Sequence, residues 1–380
     1  MSQEGKLILE TKVELHLSAE LEFDYTSGNF RSPFMDIAGK KIVVTCGGGV
    51  GDLVMYTPAL RKLKREYNCQ LVLLTPRNKE VLDGLPYIDG IIYMQRGTLF
   101  GKFLNLHKLK GTYALIMTDW QPNILMAAKY YNIPIIAGYP RKNHILSWIF
   151  TKEITTKWHK TLDFVAETHA KVFSEALNID LQLTESELRC DVAMPGEKEK
   201  SSVDAMLTDI GISCQREFII LAPFSGFKLK DWRIEESKKF VELFSSFFGV
   251  PVLLLGTADK KSIAKDISPY SLVGNTTILE LVEIISRAKL VVTADSGQMH
   301  IAGALNVPVV PFFGKEIPAR WAPRNNCWPV FLNYPCSPCK DSVALACEKG
   351  VACLYEITAK IVFDKVREVL QNNHILDQNS

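Results

Sequence analysis

The sequence predicts an α/β protein built as two Rossmann-like domains, and three observations carry that expectation. Short apolar runs alternate with amphipathic stretches from Lys41 onward, the alternation breaks at a polar segment from Met194 to Asp204, and it then restarts. Each half also has its own strand ends marked by glycine. One continuous sheet would give a similar restart, and the two sets of glycine-marked ends favour two domains.

The chain opens differently. Residues Thr11 to Tyr25, TKVELHLSAELEFDY, set Val13, Leu15, Leu17, Leu21, Phe23 and Tyr25 at odd positions, with mostly polar or charged residues between. A period of two marks a strand with one buried face. The run exceeds a usual strand of about 5–6 residues, so a bent strand or a hairpin is expected, ending near the turn signal TSGN at Thr26 to Asn29. Residues 1–36 therefore read as an appended β-like extension. Residues 37–200 supply KIVVTC, CQLVLLT, IDGIIYM, YALIMTD and IPIIAGY as strands buried on both faces. Residues 201–335 supply EFIILAP, VPVLLLG, LVVTADSG and VPVVPFFG, and residues 336–380 a cysteine-rich loop and a closing helix.

A chain of 380 residues is long enough for two cores with a cleft between them. Lysine and arginine number 44 against 42 acids, a formal charge of +2, which gives no global field of the kind nucleic-acid binders carry. The start, MSQEGKLILETK, lacks the charge pattern and apolar core of a leader, and no apolar run reaches the ~20 residues of a membrane span. A cytoplasmic protein is expected.

The stretch TCGGGVGDLVMYTPALRKLKREY, Thr45 to Tyr67, places Gly47, Gly48, Gly49 and Gly51 between a strand and a helix. Ligands of open α/β sheets collect at such strand ends, where helix N-termini offer free N–H groups. The segment does not complete the dinucleotide pattern G-x-G-x-x-G, and no Lys-Ser or Lys-Thr follows to make a Walker loop. Asp52 is out of place beside a phosphate. It suits an acceptor hydroxyl that must lose its proton, and reads equally well as a first-turn acid completing the helix dipole.

In the second half, LAPFSGFKLKDWR puts Ser225, Gly226, Lys228 and Lys230 just beyond a strand, as a diphosphate site requires and as a solvated turn also allows. LVVTADSGQMHIAGAL sets Asp295, Ser296, Gly297 and His300 at a strand-to-helix turn. Ser296 and Gly297 suit backbone donation to phosphate, and Asp295 contact with sugar hydroxyls. His300 taken alone is more often a structural histidine, and the G-x-S-x-G element of hydrolases is absent.

Together these residues resemble the ADP-heptose:lipopolysaccharide heptosyltransferase family, glycosyltransferase family 9. GVGDLVMYTPALRKLK resembles its N-terminal loop and helix, YIDGIIYM the following strand, and LVGNTTILELVEIISRAKLVVTADSGQMHIAGALNVPVVPFFG its most specific block, over roughly Lys41 to Val366. The resemblance implies a GT-B fold, with two Rossmann-like domains facing across a cleft, the nucleotide-sugar on the C-terminal domain and the acceptor on the N-terminal one. It implies inverting transfer of a heptose or related sugar from an ADP-sugar, with no cofactor required. The acceptor would be a lipopolysaccharide core or related surface glycan, met at the inner membrane face. Asp52 matches the general base, Lys230 the lysine that steadies the leaving diphosphate, Asp295 the sugar-contacting acid, and Ser296 with Gly297 the phosphate turn. Asp259, in LLLGTADKK, falls near the ribose-binding acid.

Three features depart from that pattern. Trp232 precedes Arg233 where Trp-Pro is usual, so Lys228 remains a rival to Lys230; the loop has glycines at 47 to 49 where serine or threonine is common; and the extension before Ile37 is not part of the family core. Cys336, Cys339, Cys347 and Cys353 crowd one segment with the spacing C-x2-C-x7-C-x5-C, which suits structural zinc or a single iron, with free thiols or disulfides as the alternatives. Metal-bearing, protein-modifying heptosyltransferases of autotransporter type share both the cysteines and an N-terminal addition, so a protein acceptor is an alternative, as is a non-catalytic nucleotide- or glycan-binding relative. The segment RKNHILSWIFTKEITTKWHK mixes Arg141, Lys142, Lys152, Lys157 and Lys160 with Trp148, Phe150 and Trp158. It suits phosphorylated lipid headgroups, or equally an ordinary packed element with solvated lysines.

Overall fold

The computed structural model describes residues 22–24, 29–31, 36–94, 105–157, 162–213, 215–339, 347 and 350–376. Its strands are β1 (Glu22–Asp24), β2 (Asn29–Arg31), β3 (Lys41–Thr45), β4 (Gln70–Thr75), β5 (Gly90–Tyr93), β6 (Ala114–Ile116), β7 (Ile135–Gly138), β8 (Lys152–Glu153), β9 (Ile219–Ala222), β10 (Val252–Leu254), β11 (Val291–Ala294), β12 (Val309–Phe313) and β13 (Val330–Phe331). The helices are α1 (Val50–Tyr67), α2 (Pro122–Tyr130), α3 (Val165–Leu177), α4 (Glu197–Asp209), α5 (Ile234–Phe248), α6 (Lys261–Ala264), α7 (Ile278–Arg287), α8 (Gly297–Ala304), α9 (Pro318–Trp321), α10 (Ala352–Tyr355) and α11 (Ala359–Asn372).

Two all-parallel sheets carry the fold. The first has the order β5-β4-β3-β6-β7-β8 and the second β10-β9-β11-β12-β13. A parallel bridge from Leu254 to Ser271 starts a further strand beside β10, which gives the second sheet the same doubly wound pattern as the first. The nine apolar runs read from the sequence are the nine longer strands of these sheets. Their interior is buried, as sheets covered by helices on both faces require. The two unforeseen strands, β8 and β13, are two-residue edges. Of the extension, β1 and β2 pair antiparallel, with Phe23 opposite Phe30; residues 25–28, where the TSGN turn is expected, and the rest of the Thr11 to Tyr25 pattern lie outside the described residues.

Helix α1 packs on α3 and, from the other half of the chain, on α8. Pro58 sits inside α1 and cannot donate to the carbonyl of Val54. The hydroxyl of Thr57 donates to that carbonyl at 2.7 Å instead, and accepts from the Asp191 N–H at 2.8 Å. Helix α4 crosses residue 200, where the sequence suggested a boundary, and docks on α7 through Ser202 Oγ to Glu280 at 2.6 Å and Arg287 to Asp204 at 2.5 Å. At the end of the chain α11 lies against α5, with Phe247 and Phe363 edge to face at 5.6 Å. Among the described residues no helix is long and apolar enough to cross a membrane.

Candidate active site

In a doubly wound sheet the crevice opens where the strand order reverses, here between β3 and β6 and between β9 and β11. Loops at both reversal points line a single cleft of about 520 Å³. Gly49, Gly51, Asp52 and Arg77 come from the first sheet; Ser225, Gly226, Lys230, Asp295, Ser296, Gly297 and His300 come from the second.

The glycine loop is shaped by what lies on it. A Cβ on Gly49 would stand 2.5 Å from Asp52 Oδ2, and one on Gly48 would overlap the stem of Arg77. The carbonyl of Gly48 accepts from Arg77 Nε at 2.9 Å and from Asn78 Nδ2 at 2.6 Å. Gly51 is bare for another reason: a Cβ there would lie 2.5 Å from His300 Cδ2, and one on Gly297 would lie 2.9 Å from Val50 Cβ. The N-termini of α1 and α8 thus meet through glycines, one from each half.

Asp52 occupies the first turn of α1 and keeps an open face to the cleft. Loss of water between the cleft walls raises its carboxyl pKa above the usual value, Lys230 and Arg77 pull it back, and Asp295 adds to the rise. A carboxylate poised in this way is suited to take a proton.

On the facing wall, Lys230 Nζ bonds Asp295 Oδ2 at 2.5 Å and lies 6.0 Å from the centre of the Trp321 ring. Its loop is built rigidly: Ser225 N–H donates to Asp231 at 2.8 Å, Lys260 pairs with the other oxygen of Asp231 at 2.7 Å, and the buried Trp232 donates through Nε1 to Ile357 O at 2.8 Å. Lys228, the rival, is exposed and does not line the cleft. Ser296 occupies the N-cap position of α8 without a side-chain cap bond, its hydroxyl donating to Gln298 Oε1 at 2.7 Å, so the free N–H groups of that helix are left at the cleft wall. His300 is buried; burial pushes its imidazole down to about 4, opposed by Asp295 and assisted by Lys230. It is neutral at pH 7.

Asp259 stands apart. It is exposed, accepts from Thr257 Oγ1 at 2.5 Å and neighbours Lys260 at 3.7 Å, while Thr257 rather than Asp259 lines the cleft. The residues that sequence reasoning missed are Arg77, Asn78 and Trp321. Arg77 and Asn78 carried one local signal, a strand end followed by Pro-Arg-Asn, and Trp321 carried none.

Among the described residues no group of three or more His, Cys, Asp or Glu is arranged to hold a metal ion, and no disulfide joins the cysteines. Cys353 packs against Gly314, its Sγ 3.1 Å from where a Cβ would stand. Burial, with Cys336, Cys347 and Cys339 nearby, pushes its thiol up to about 11.

The model of glycosyltransferase family 9 (heptosyltransferase) matches residues 113–348. The lipopolysaccharide core heptosyltransferase OpsX of Haemophilus influenzae is 28% identical over 134 residues, 33% of this chain and 38% of that protein. Lipopolysaccharide heptosyltransferase 3 of Escherichia coli is 24% identical over 299 residues, 73% of this chain and 84% of that protein. Among solved structures, a family 9 glycosyltransferase from Veillonella parvula superimposes with a TM-score of 0.73 at 18% identity, covering 90% of this chain and all 100% of its own. The E. coli ADP-heptose lipopolysaccharide heptosyltransferase II gives 0.69 at 20% identity, covering 88% and 99%. The iron-containing dodecameric glycosyltransferase TibC of enterotoxigenic E. coli gives 0.57 at 13%, covering 92% and 83%. These structures share the GT-B fold of two Rossmann-like domains. With more than half its length matched by the family model, the chain belongs to glycosyltransferase family 9, the heptosyltransferases.

Proposed function

We propose that the protein is an inverting glycosyltransferase that moves a heptose or related sugar from an ADP-sugar to a hydroxyl of a lipopolysaccharide core or related surface glycan. The observation that carries this reading is the opposition, across one cleft, of Asp52 from the first sheet and the Lys230–Asp295 pair from the second.

In this mechanism the donor diphosphate rests on the N-terminus of α8 and on Lys230, and the sugar hydroxyls meet Asp295. Asp52 takes the proton of the acceptor hydroxyl, whose oxygen attacks the anomeric carbon as the bond to the diphosphate breaks. Charge builds on the leaving phosphate, and a fixed lysine with preoriented N–H groups stabilises it most where water is excluded. That charge is supplied by the chain itself, in line with transfer that needs no cofactor. His300, neutral and wedged under Gly51, holds the two walls at a fixed separation.

A lipid-linked acceptor is supported by one face of the first domain. Tyr130, Ile145 and Trp148 are 79%, 81% and 64% exposed, and Lys129 Nζ lies 4.9 Å over the Trp148 ring. Aromatic rings beside lysines suit an anionic headgroup layer. Trp158 and Lys160 of the same basic stretch lie outside the described residues.

The test is transfer from ADP-heptose together with nucleotide-dependent thermal stabilisation. ADP should stabilise the protein more than UDP or GDP, and Asp52→Asn should lower turnover by about 10²–10⁴ with ADP affinity retained. Unchanged turnover in Asp52→Asn removes the base, and a lipid-free protein acceptor that outcompetes the glycan moves the reading toward protein modification.

A further inference from the structure

Trp321 ends the short helix α9 and lines the cleft beside Lys230 and Asp295. It is half-buried, whereas Trp232, Phe240 and Phe312 of the same half are sealed in the core. The indole is held from several sides. Its Nε1 donates to Glu316 Oε2 at 3.2 Å, which satisfies the one polar atom of the ring system and leaves its faces apolar. Glu316 neighbours Lys315, whose ammonium lies 4.6 Å from the centre of the Phe227 ring. The Phe227 carbonyl accepts from the Lys230 N–H at 2.8 Å, so one chain of contacts ties the indole to the Lys230 turn. Two residues on, Pro323 presses against α8, where a Cβ on Gly303 would lie 2.5 Å from its ring. That helix follows directly on Asp295 and Ser296.

The indole and the Lys230–Asp295 pair face one another without closing. Lys230 Nζ stands 6.0 Å from the centre of the Trp321 ring, about the outer limit of a cation–π contact. The ammonium is committed to Asp295 Oδ2 at 2.5 Å. A carbon resting on the ring stands about 3.5–4.0 Å from it, nearer than the ammonium does. An apolar C–H patch laid on the indole would therefore turn its hydroxyls toward the ion pair. A flat apolar surface opposed to a carboxylate and an ammonium matches the two-sided chemistry of a pyranose, which carries C–H groups on its faces and hydroxyls around its rim.

We infer that Trp321 is the platform on which the donor sugar stacks, a specificity-determining residue that adds affinity for the pyranose of the nucleotide-sugar and none for the nucleotide. This deepens the reading of Lys230 and Asp295 as the donor site and rests on it. A sugar gripped by its apolar face on one side and its hydroxyls on the other has one orientation, and its anomeric carbon is held toward the Asp52 wall.

The experiment is calorimetric titration of the full chain with ADP and, separately, with ADP-heptose, without acceptor, in wild type, Trp321→Leu and Trp321→Phe. Trp321→Leu should weaken ADP-heptose about tenfold, the size expected from losing on the order of 50 Å² of buried C–H surface, while ADP stays within about twofold. Trp321→Phe keeps a ring and gives up the Glu316 bond, and should hold ADP-heptose within about threefold of wild type. ADP affinity in the same samples reports that the site is intact. ADP-heptose affinity unchanged in Trp321→Leu would overturn the inference. So would an equal loss for ADP, because the residue would then shape the pocket without touching the sugar, and so would a loss in Trp321→Phe as large as in Trp321→Leu. These three results leave the donor site standing. A wild-type protein that binds neither ADP nor ADP-heptose would overturn the donor-site reading and the platform with it.

Discussion

Gly51→Ala sets two effects of known size against each other. Alanine is favoured over glycine within a helix by about 0.5–1 kcal/mol, so on propensity alone α1 would gain. The new methyl group, however, would lie 2.5 Å from His300 Cδ2 and 3.0 Å from Nε2, and overpacking of a filled interior costs about 1–3 kcal/mol. The imidazole is 4% exposed and backed by Trp321, whose ring centre is 6.2 Å away. Displacing it would disturb its packing between α1 and Trp321, and the steric effect should win by about 1–2 kcal/mol. At about 2–4 °C per kcal/mol for domains of this size, the thermal midpoint should fall by about 2–8 °C. Scanning calorimetry with and without ADP would measure it. Gly297→Ala, pressing on Val50 across the same seam, should behave alike, and the double variant should lose less than the sum because one opening relieves both. A midpoint that is unchanged or raised in Gly51→Ala would refute the argument, since it would mean that the seam yields and that the glycine is not there for close approach.

Other outcomes follow from the same geometry. Lys230→Ala should lower kcat/KM by about 10²-fold or more, while Lys228→Ala, on the exposed side of the turn, should stay within about twofold; steady-state kinetics would show a reversed order if the wrong lysine has been chosen. His300 titrates near 4 in the folded protein against about 6.5 unfolded. Its contribution is complete above about 6.5 and is lost as pH falls toward 4, because the unfolded chain takes up the proton first. At about 1.4 kcal/mol per pH unit that amounts to roughly 3 kcal/mol. Urea midpoints of wild type and His300→Gln should therefore converge in slope above pH 7 and diverge below it, and parallel curves throughout would exclude the effect. Trp232→Phe should cost about 1–3 kcal/mol, since it leaves the buried Ile357 carbonyl without its donor; an unchanged denaturation midpoint would show that the carbonyl finds another partner.

What could be read in the sequence was local, and what could not was relational. Nine strands announced themselves because a strand buried on both faces is an unbroken apolar run, whereas β8 and β13 pair along one edge over two residues and leave no such mark. Asp52 and the Asp295–Gly297 turn were found because each lies at a strand end within its own short segment. Arg77 was missed because its meaning comes from Gly48, 29 residues earlier in the chain. Gly51 was noticed for the wrong partner: the loop looked bare for a ligand, and at that position it is bare for His300, from the other half of the chain. The cysteine spacing says nothing about how the thiols are arranged, and Cys353, which lies near Cys336, Cys339 and Cys347, also packs on Gly314.

The bond from Trp232 to Ile357 also bears on how the protein is made. The indole at the base of the Lys230 loop waits for a carbonyl 125 residues further on, and α11, which covers α5, comes later still. Domains fold as units in the order of their synthesis, so the first sheet, complete by Glu153, can form while the ribosome is still at work on the second. The lysine-bearing wall closes only when the last turns of the chain emerge. A message cut short before Ile357 would therefore yield a polypeptide with the Asp52 half folded and the opposite half open, one that quality-control proteases could distinguish from the finished enzyme by its exposed α5 core.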